Sequence, residues 1–349
     1  MNELSLLRMA AQRLVGPRAA TPGEAVRRLT AVQGQDLPGA LTSVALRTAG
    51  GTRAAVEAAL DAGEVVRSWP MRGTLHLTAA DDLPWMLELL GPRALAGVAA
   101  RRAALELTDD DVEQARDLAV AALVGGRRLS RAELLSAIAD GGVSVAGQRG
   151  YHLLWYLAQT GTLCLGPTAG GDQLFVLLDE WLPAPRRLER DEALAELVLR
   201  FFTGHGPATV KDLVRWAGVL VRDVKAGLTI VAPQLERLDV GGVEHWMDPA
   251  TPDRLAAARA EAEGVHLLPG FDELVLGYAD RSCTVPAAFA DRIVPGNNGM
   301  FRATAVQAGT VVGVWRAGRS RARPIELEPF TELTPDVRAR VAELYATLP

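Results

Sequence analysis

The strongest constraint on the fold is a succession of signals that recurs three times along the chain. It consists of a capped helix start, a break, a second helix and two short strands around a turn. Thr21-Pro22-Gly23-Glu24 opens the first copy. The threonine is an N-cap, the proline sits at N1 and the glutamate at N3, and Ala25, Leu29 and Val32 then mark one helical face. A short helix follows Thr52 and ends near Gly63, and residues 64–69 and 73–78 read as strands around a Pro70-Met71-Arg72 turn. The second copy starts at the capping box Ser130-Arg131-Ala132-Glu133, whose helix carries Leu134, Leu135 and Ile138 and stops at Gly141-Gly142. A helix over 148–159 and strands over 162–166 and 173–179, joined across Gly170-Gly171, complete it. In the third, Thr209 with Asp212 at N3 starts a helix with Leu213, Trp216 and Ala217 on one face and Gly218 as its C-cap. A helix over 219–226 follows, and strands over 235–240 and 243–247 flank Gly241-Gly242.

Helix, helix, hairpin is the order of a winged helix. Three copies of low mutual identity predict tandem winged helices rather than a solenoid, whose repeats would be shorter and more regular. Beyond them, residues 301–307, 310–316 and 324–327 read as an antiparallel meander turning at Ala308-Gly309 and Ala317-Gly318. A last helix opens at Thr334-Pro335 and puts Val337, Val341, Leu344, Tyr345 and Leu348 on one face. The expected fold class is α+β, with three tandem winged-helix units and a C-terminal antiparallel β-rich element. The expected boundaries are 1–103, 104–188, 189–267 and 268–349.

Composition sets the outer limits. Of 349 residues 49% are apolar, enough to bury more than one core. With 37 basic against 42 acidic residues the net charge is -5, so nucleic-acid contact must come from local basic patches. Two isolated thiols, Cys164 and Cys283, outline no disulfide framework and fit a reducing, cytoplasmic setting. Residues 1–10 interleave Asn2, Glu3 and Arg8 with apolar residues and read as no signal peptide. No run approaches the roughly 18 apolar residues of a membrane span. The five histidines (His76, His152, His205, His245, His266) are scattered without metal-ligand spacing, and the common phosphate-loop, dinucleotide and hydrolase motifs are absent. No metal or cofactor is expected.

Basic side chains do gather locally. Arg127, Arg128 and Arg131 surround one helix start, Arg149 opens the next helix, and Arg222 and Lys225 lie on the second helix of the third copy. Arg316, Arg319, Arg321 and Arg323 form an acid-free run. The second helix of a winged helix can enter a DNA groove while basic side chains meet phosphates; the alternative is a solvated charged face. Gln33-Gly34-Gln35-Asp36 reads as the end of the first long helix, with Gly34 as a left-handed C-cap. Its glutamines are either surface or capping residues or, on an extended exit from the helix, aimed the same way.

Four short motifs carry a resemblance. They are Ala31-Val32-Gln33-Gly34-Gln35, then Arg67-Ser68-Trp69-Pro70-Met71-Arg72-Gly73-Thr74-Leu75-His76, then Gly206-Pro207-Ala208-Thr209 with Asp212-Leu213 and Trp216, and finally Leu268-Pro269-Gly270-Phe271-Asp272-Glu273 with Gly277-Tyr278 and Asp280-Arg281. In this order, over nearly the whole chain, the sequence resembles the AlkZ/YcaQ-like winged-helix DNA glycosylases. The resemblance implies Gln33 and Gln35 as active-site residues. Gln35, where the YcaQ-like branch tends to carry an acid, places the chain nearer the AlkZ-like branch, which includes self-resistance enzymes against DNA-alkylating natural products. Gly34 stands where a larger residue is commoner.

The implied function is a monofunctional DNA glycosylase acting on cationic N7- or N3-alkylpurines in double-stranded DNA, including bulky adducts or interstrand crosslinks. A monomer is expected. Alkylation gives the leaving base a positive charge, so it departs neutral, and two carboxamides suffice to orient water and the sugar. The two lysines, Lys211 and Lys225, are remote in sequence from the glutamines, so no Schiff-base nucleophile is indicated. Arg72 suits a phosphate, His76 either approaches the lesion or a phosphate or is a core or strand-face histidine, and Trp246 either wedges into the minor groove or packs in the core. The alternative functions are a non-catalytic DNA-binding regulator and a protein that sequesters drug or adduct.

Overall fold

The computed structural model describes residues 3–182, 184–320 and 323–349. Two compact units emerge: Met1–Val56, Leu194–Trp216 and Leu220–Pro349 form one, and Glu57–Ala193 with Ala217–Val219 the other. Helices and antiparallel sheets are mixed in both. Among the described residues no helix is long and apolar enough to cross a membrane.

In the unit built on Glu57–Ala193, two hairpins share a sheet. The first pairs Val65–Met71 with Thr74–Ala79, the second pairs Leu163–Ala169 with Asp172–Leu177, and Arg67 opposite Leu165 joins them. Helices Asp109–Leu123, Arg131–Asp140 and Arg149–Gln159 cover the sheet, burying Val112, Ala115, Leu134, Ile138, Leu153 and Leu157 in one apolar cluster with Trp69 and Phe175. Thr108 and Ser130 both form full capping boxes, which satisfy backbone donors left open by the first helical turn. The first hairpin turns later than its sequence indicates. The strand runs through Pro70-Met71, and Arg72 and Gly73, with φ of 56° and 69°, make the two-residue turn whose handedness matches the strand twist.

The larger unit holds the third copy: helix Val210–Ala217, helix Val221–Val231 and the hairpin Glu236–Val240 with Val243–Met247. Its C-terminal sheet has four strands rather than three. Val265–Leu268 pairs with Thr304–Gln307, which pairs with Thr310–Ser320, which pairs with Arg323–Pro329. Thr310–Ser320 carries a bulge between Ala317 and Ser320 where a turn at Ala317-Gly318 was expected, so the ladder continues past it. Helix Pro335–Ala346 packs Val341 onto Leu267 and Ala305, with Tyr345 edge-on to Trp315. Helices Glu3–Ala11 and Thr251–Ala262 share a second core of Leu6, Met9, Leu255, Leu274, Val306 and Val314.

Around the glutamines the structure corrects the expected helix end. The first capped helix spans only Pro22–Leu29, and it is Thr30, at φ 68° and ψ -49°, that takes a positive φ, where Gly34 was expected as a left-handed C-cap. Its N–H still closes the helix on the Arg27 carbonyl at 3.1 Å, but a β-branched residue there is strained. The chain then leaves as a two-residue strand, Val32–Gln33, and re-enters helix at Leu37–Leu46. Gln33 therefore ends a short strand and Gln35 lies in the bend that follows it, on the connection between two helices.

Candidate active site

The short strand ends at Gln33 and the chain bends at Gln35 and Asp36, and across this turn of direction the two glutamine side chains meet. Gln33 Nε2–H donates to Gln35 Oε1 at 3.4 Å, and Gly34 N–H donates to Gln33 Oε1 at 3.2 Å. Gln33 is 5% exposed, whereas Gln35 is exposed. One carboxamide is held inside the fold and hands its orientation to a second one at the surface.

The peptide of Gln33 is itself anchored. Its N–H donates to Glu273 Oε1 at 3.2 Å. The Glu273 carboxylate is fully buried; Oε2 accepts Trp216 Nε1–H at 2.9 Å and lies 3.3 Å from His205 Nε2. Phe201 stacks on the His205 ring with centroids 4.6 Å apart, and Tyr278 O–H donates to the His205 carbonyl at 2.7 Å. Burial pushes the Tyr278 phenol up, so the hydroxyl remains a donor. Tyr278 in turn accepts Gln12 Nε2–H at 3.0 Å, and Arg8 lies 3.7 Å over its ring.

Asp272, the neighbour of Glu273, closes the network on its other side. It receives Arg47 through two bonds of 2.8 and 3.0 Å, Ser43 Oγ–H at 2.7 Å and Leu274 N–H at 3.0 Å, and Arg47 also donates to Gln12 Oε1 at 2.8 Å. Burial opposes ionisation of this carboxyl, but Arg47, Ser43 and the Leu274 amide outweigh it and hold Asp272 below the usual carboxylate range. Every member of this chain of contacts belongs to the larger unit.

The expected DNA-contacting residues fall at several places. Arg222 is exposed on helix Val221–Val231 with Asp223 Oδ1 4.0 Å from its Nε, and Lys225 is exposed one turn further on. Trp246 is half-buried; its Nε1–H donates to Glu244 at 2.9 Å, while its backbone bridges to Ala208 at 2.8 and 3.0 Å. Arg72 is exposed at its hairpin turn, 3.2 Å from a fully buried His76. Burial and the Arg72 charge push His76 down to about 3, so it is neutral at physiological pH. Arg149 donates to the carbonyls of Ser144, Leu105 and Glu106 at 2.8–2.9 Å, with Asp111 at 3.8 Å; its guanidinium ties together the loops of its own unit. Arg321 lies outside the described residues, as do the side chains of Arg319 and Arg323. Among the described residues no group of three or more His, Cys, Asp or Glu side chains gathers as a metal site.

Glu273, His205 and Trp216 were not singled out for chemistry in the sequence. Glu273 and Trp216 stand in the recognised motifs, and His205 directly precedes one of them. Nothing local ties them to Gln33.

A family model described as DNA glycosylase AlkZ-like matches residues 26–348. The chain belongs to the AlkZ-like DNA glycosylase family. Over 321 residues it is 28% identical to the interstrand DNA cross-link repair glycosylase of Streptomyces sahachiroi, covering 88% of this chain and 85% of that protein. It is also similar in fold to the solved DNA glycosylase AlkZ of Streptomyces sahachiroi, with a TM-score of 0.81 at 24% identity over 99% of this chain and 95% of that one. Family membership makes this chain an enzyme that hydrolyses N-glycosyl bonds.

Proposed function

We propose that the chain is a monofunctional glycosylase that hydrolyses the N-glycosidic bond of cationic N7- or N3-alkylpurines in double-stranded DNA, with bulky adducts and interstrand crosslinks among its substrates. The observation that carries this reading is the Gln33–Gln35 contact on the connection between two helices, the first residue buried and the second exposed. Gln35 Oε1 keeps a lone pair that accepts a water O–H, and the second Nε2–H of Gln33 is left to donate to a sugar or phosphate oxygen. Neither amide is an acid strong enough to protonate a departing base, so the reaction is confined to bases that alkylation has already charged. The cross-link repair named for the Streptomyces relative supports a site open enough for an adduct that a deep flipping pocket would exclude.

The three helix–helix–hairpin copies are taken as winged helices, followed by the β-rich element, with DNA meeting Arg72, Arg222, Lys225 and Trp246. Lys211 and Lys225 are both exposed on helices of the third copy, remote in sequence from the glutamines, and neither is proposed as an imine-forming amine. The protein acts as a cytoplasmic monomer without a cofactor.

Incubating the purified chain with a duplex carrying one N7-methylguanine tests the proposal. Free N7-methylguanine and an alkali-labile abasic site in an otherwise intact strand are expected. Binding without base release would make the protein a DNA-binding or sequestering one instead.

A further inference from the structure

We propose that Glu273 is a positioning residue for the glutamine pair: its carboxylate fixes the orientation of Gln33 by holding the Gln33 peptide N–H. This rests on the reading of Gln33 as a reacting-site residue.

Three observations carry it. First, the carboxylate is fully buried and, among the described residues, makes no ion pair with arginine or lysine, unlike adjacent Asp272 with Arg47. Removing a carboxylate from water costs several kcal/mol unless partners compensate, and an apolar residue of similar volume is often at least as stable. Second, the segment is already anchored without it. Asp272 takes Arg47 and Ser43 and caps the following helix Glu273–Leu276, so the local fold has its own support. Third, both oxygens of Glu273 accept from fixed donors on different parts of the chain, Gln33 N–H on one and Trp216 Nε1–H on the other. Only an acceptor-only group satisfies both. A glutamine in its place would turn an NH2 toward one of the two donors.

The consequence reaches the side chain. The Gln33–Gln35 bond is long at 3.4 Å, near the limit at which such a bond still orients its partners. A small rotation of the Gln33 peptide would break it. Glu273 touches no substrate in this account; it acts through Gln33, and misplacement of a reacting group by a fraction of an ångström or more is costly to rate.

Single-turnover release of N7-methylguanine and duplex affinity are to be measured for Glu273→Ala, Gln33→Ala and their double variant. Glu273→Ala is expected to slow release about ten- to a hundredfold with affinity changed less than about twofold, and the double variant to be no slower than Gln33→Ala alone. A second set guards against misfolding. Glu273→Gln should be slow, whereas Glu273→Gln with Trp216→Phe removes the opposing indole donor, frees the amide oxygen for Gln33 N–H and should recover about fivefold or more, with Trp216→Phe alone as its reference. Wild-type release by Glu273→Ala beside a slow Gln33→Ala overturns the inference and leaves the glycosylase reading intact. Additive losses in the double variant, or no recovery in the paired substitution, overturn it as well. Wild-type release by Gln33→Ala defeats the reading of Gln33 itself, and the inference falls with it.

Discussion

The Nε2 of His76 lies 3.2 Å from the Arg72 guanidinium, and its Nδ1 lies 2.8 Å from the Thr74 carbonyl oxygen. A carbonyl only accepts and a guanidinium only donates, so Nδ1 carries the proton and Nε2 the lone pair that receives Arg72. A buried neutral imidazole thus steadies an arginine at the tip of a hairpin turn.

The pair has a measurable pH signature. The folded-state value of His76, about 3, lies below its unfolded value near 6.5, so between those values the unfolded chain binds the extra proton and stability rises with pH. The contribution is complete above pH 6.5 and is lost as pH falls toward 3. Between pH 7 and 5 it amounts to about 2 kcal/mol. Denaturant unfolding at the two pH values should show this loss in the wild type and a correspondingly smaller one in His76→Gln; equal losses would place His76 in contact with water.

Arg47 and Asp272 should behave as a buried pair broken on one side. Arg47→Met leaves Asp272 charged, buried and unpaired, and should destabilise the fold by about 3–5 kcal/mol. In the wild type the Asp272 contribution is present above its unfolded value near 3.9 and disappears as pH falls below it, because the folded value is depressed. A variant within about 0.5 kcal/mol of wild type in urea melts would show that Asp272 is satisfied without Arg47.

DNA contact through the third copy predicts a salt effect. Replacing Arg222 and Lys225 with alanine should weaken duplex affinity about equally for all sequences and flatten the slope of log affinity against log salt by up to about two units. An unchanged slope would assign both side chains to a solvated face.

Much of this organisation was legible because its signals are local. Capping boxes at Ser130 and Thr209 and the turns at Gly170-Gly171 and Gly241-Gly242 are set by a few adjacent residues, and their elements lie where the pattern puts them. Helix Leu37–Leu46 was invisible because nearly all its faces are buried, which erases the amphipathic period. The strand Val265–Leu268 was missed for another reason: it is four residues long and its partner, Thr304–Gln307, lies far along the chain. The glutamine pair was legible through resemblance. Its support was not, since Gln33 and Glu273 are 240 positions apart and only folding brings them together.

Leaving-group chemistry sets the substrate range. In one duplex context the enzyme should release N7-methylguanine and N3-methyladenine while leaving uracil and hypoxanthine in place, because those bases need protonation that amides do not supply. Efficient uracil excision would contradict this, and a borohydride-trapped adduct would contradict the monofunctional assignment.

The most direct test of the amide mechanism is single-turnover base release by Gln33→Ala and Gln35→Ala on an N7-methylguanine duplex, with enzyme saturating and DNA affinity measured in parallel. Each substitution should lower the rate roughly ten- to a thousandfold, about 1.4–4 kcal/mol of transition-state stabilisation, while affinity stays nearly unchanged. Wild-type rates in both variants would remove the glutamines from the mechanism.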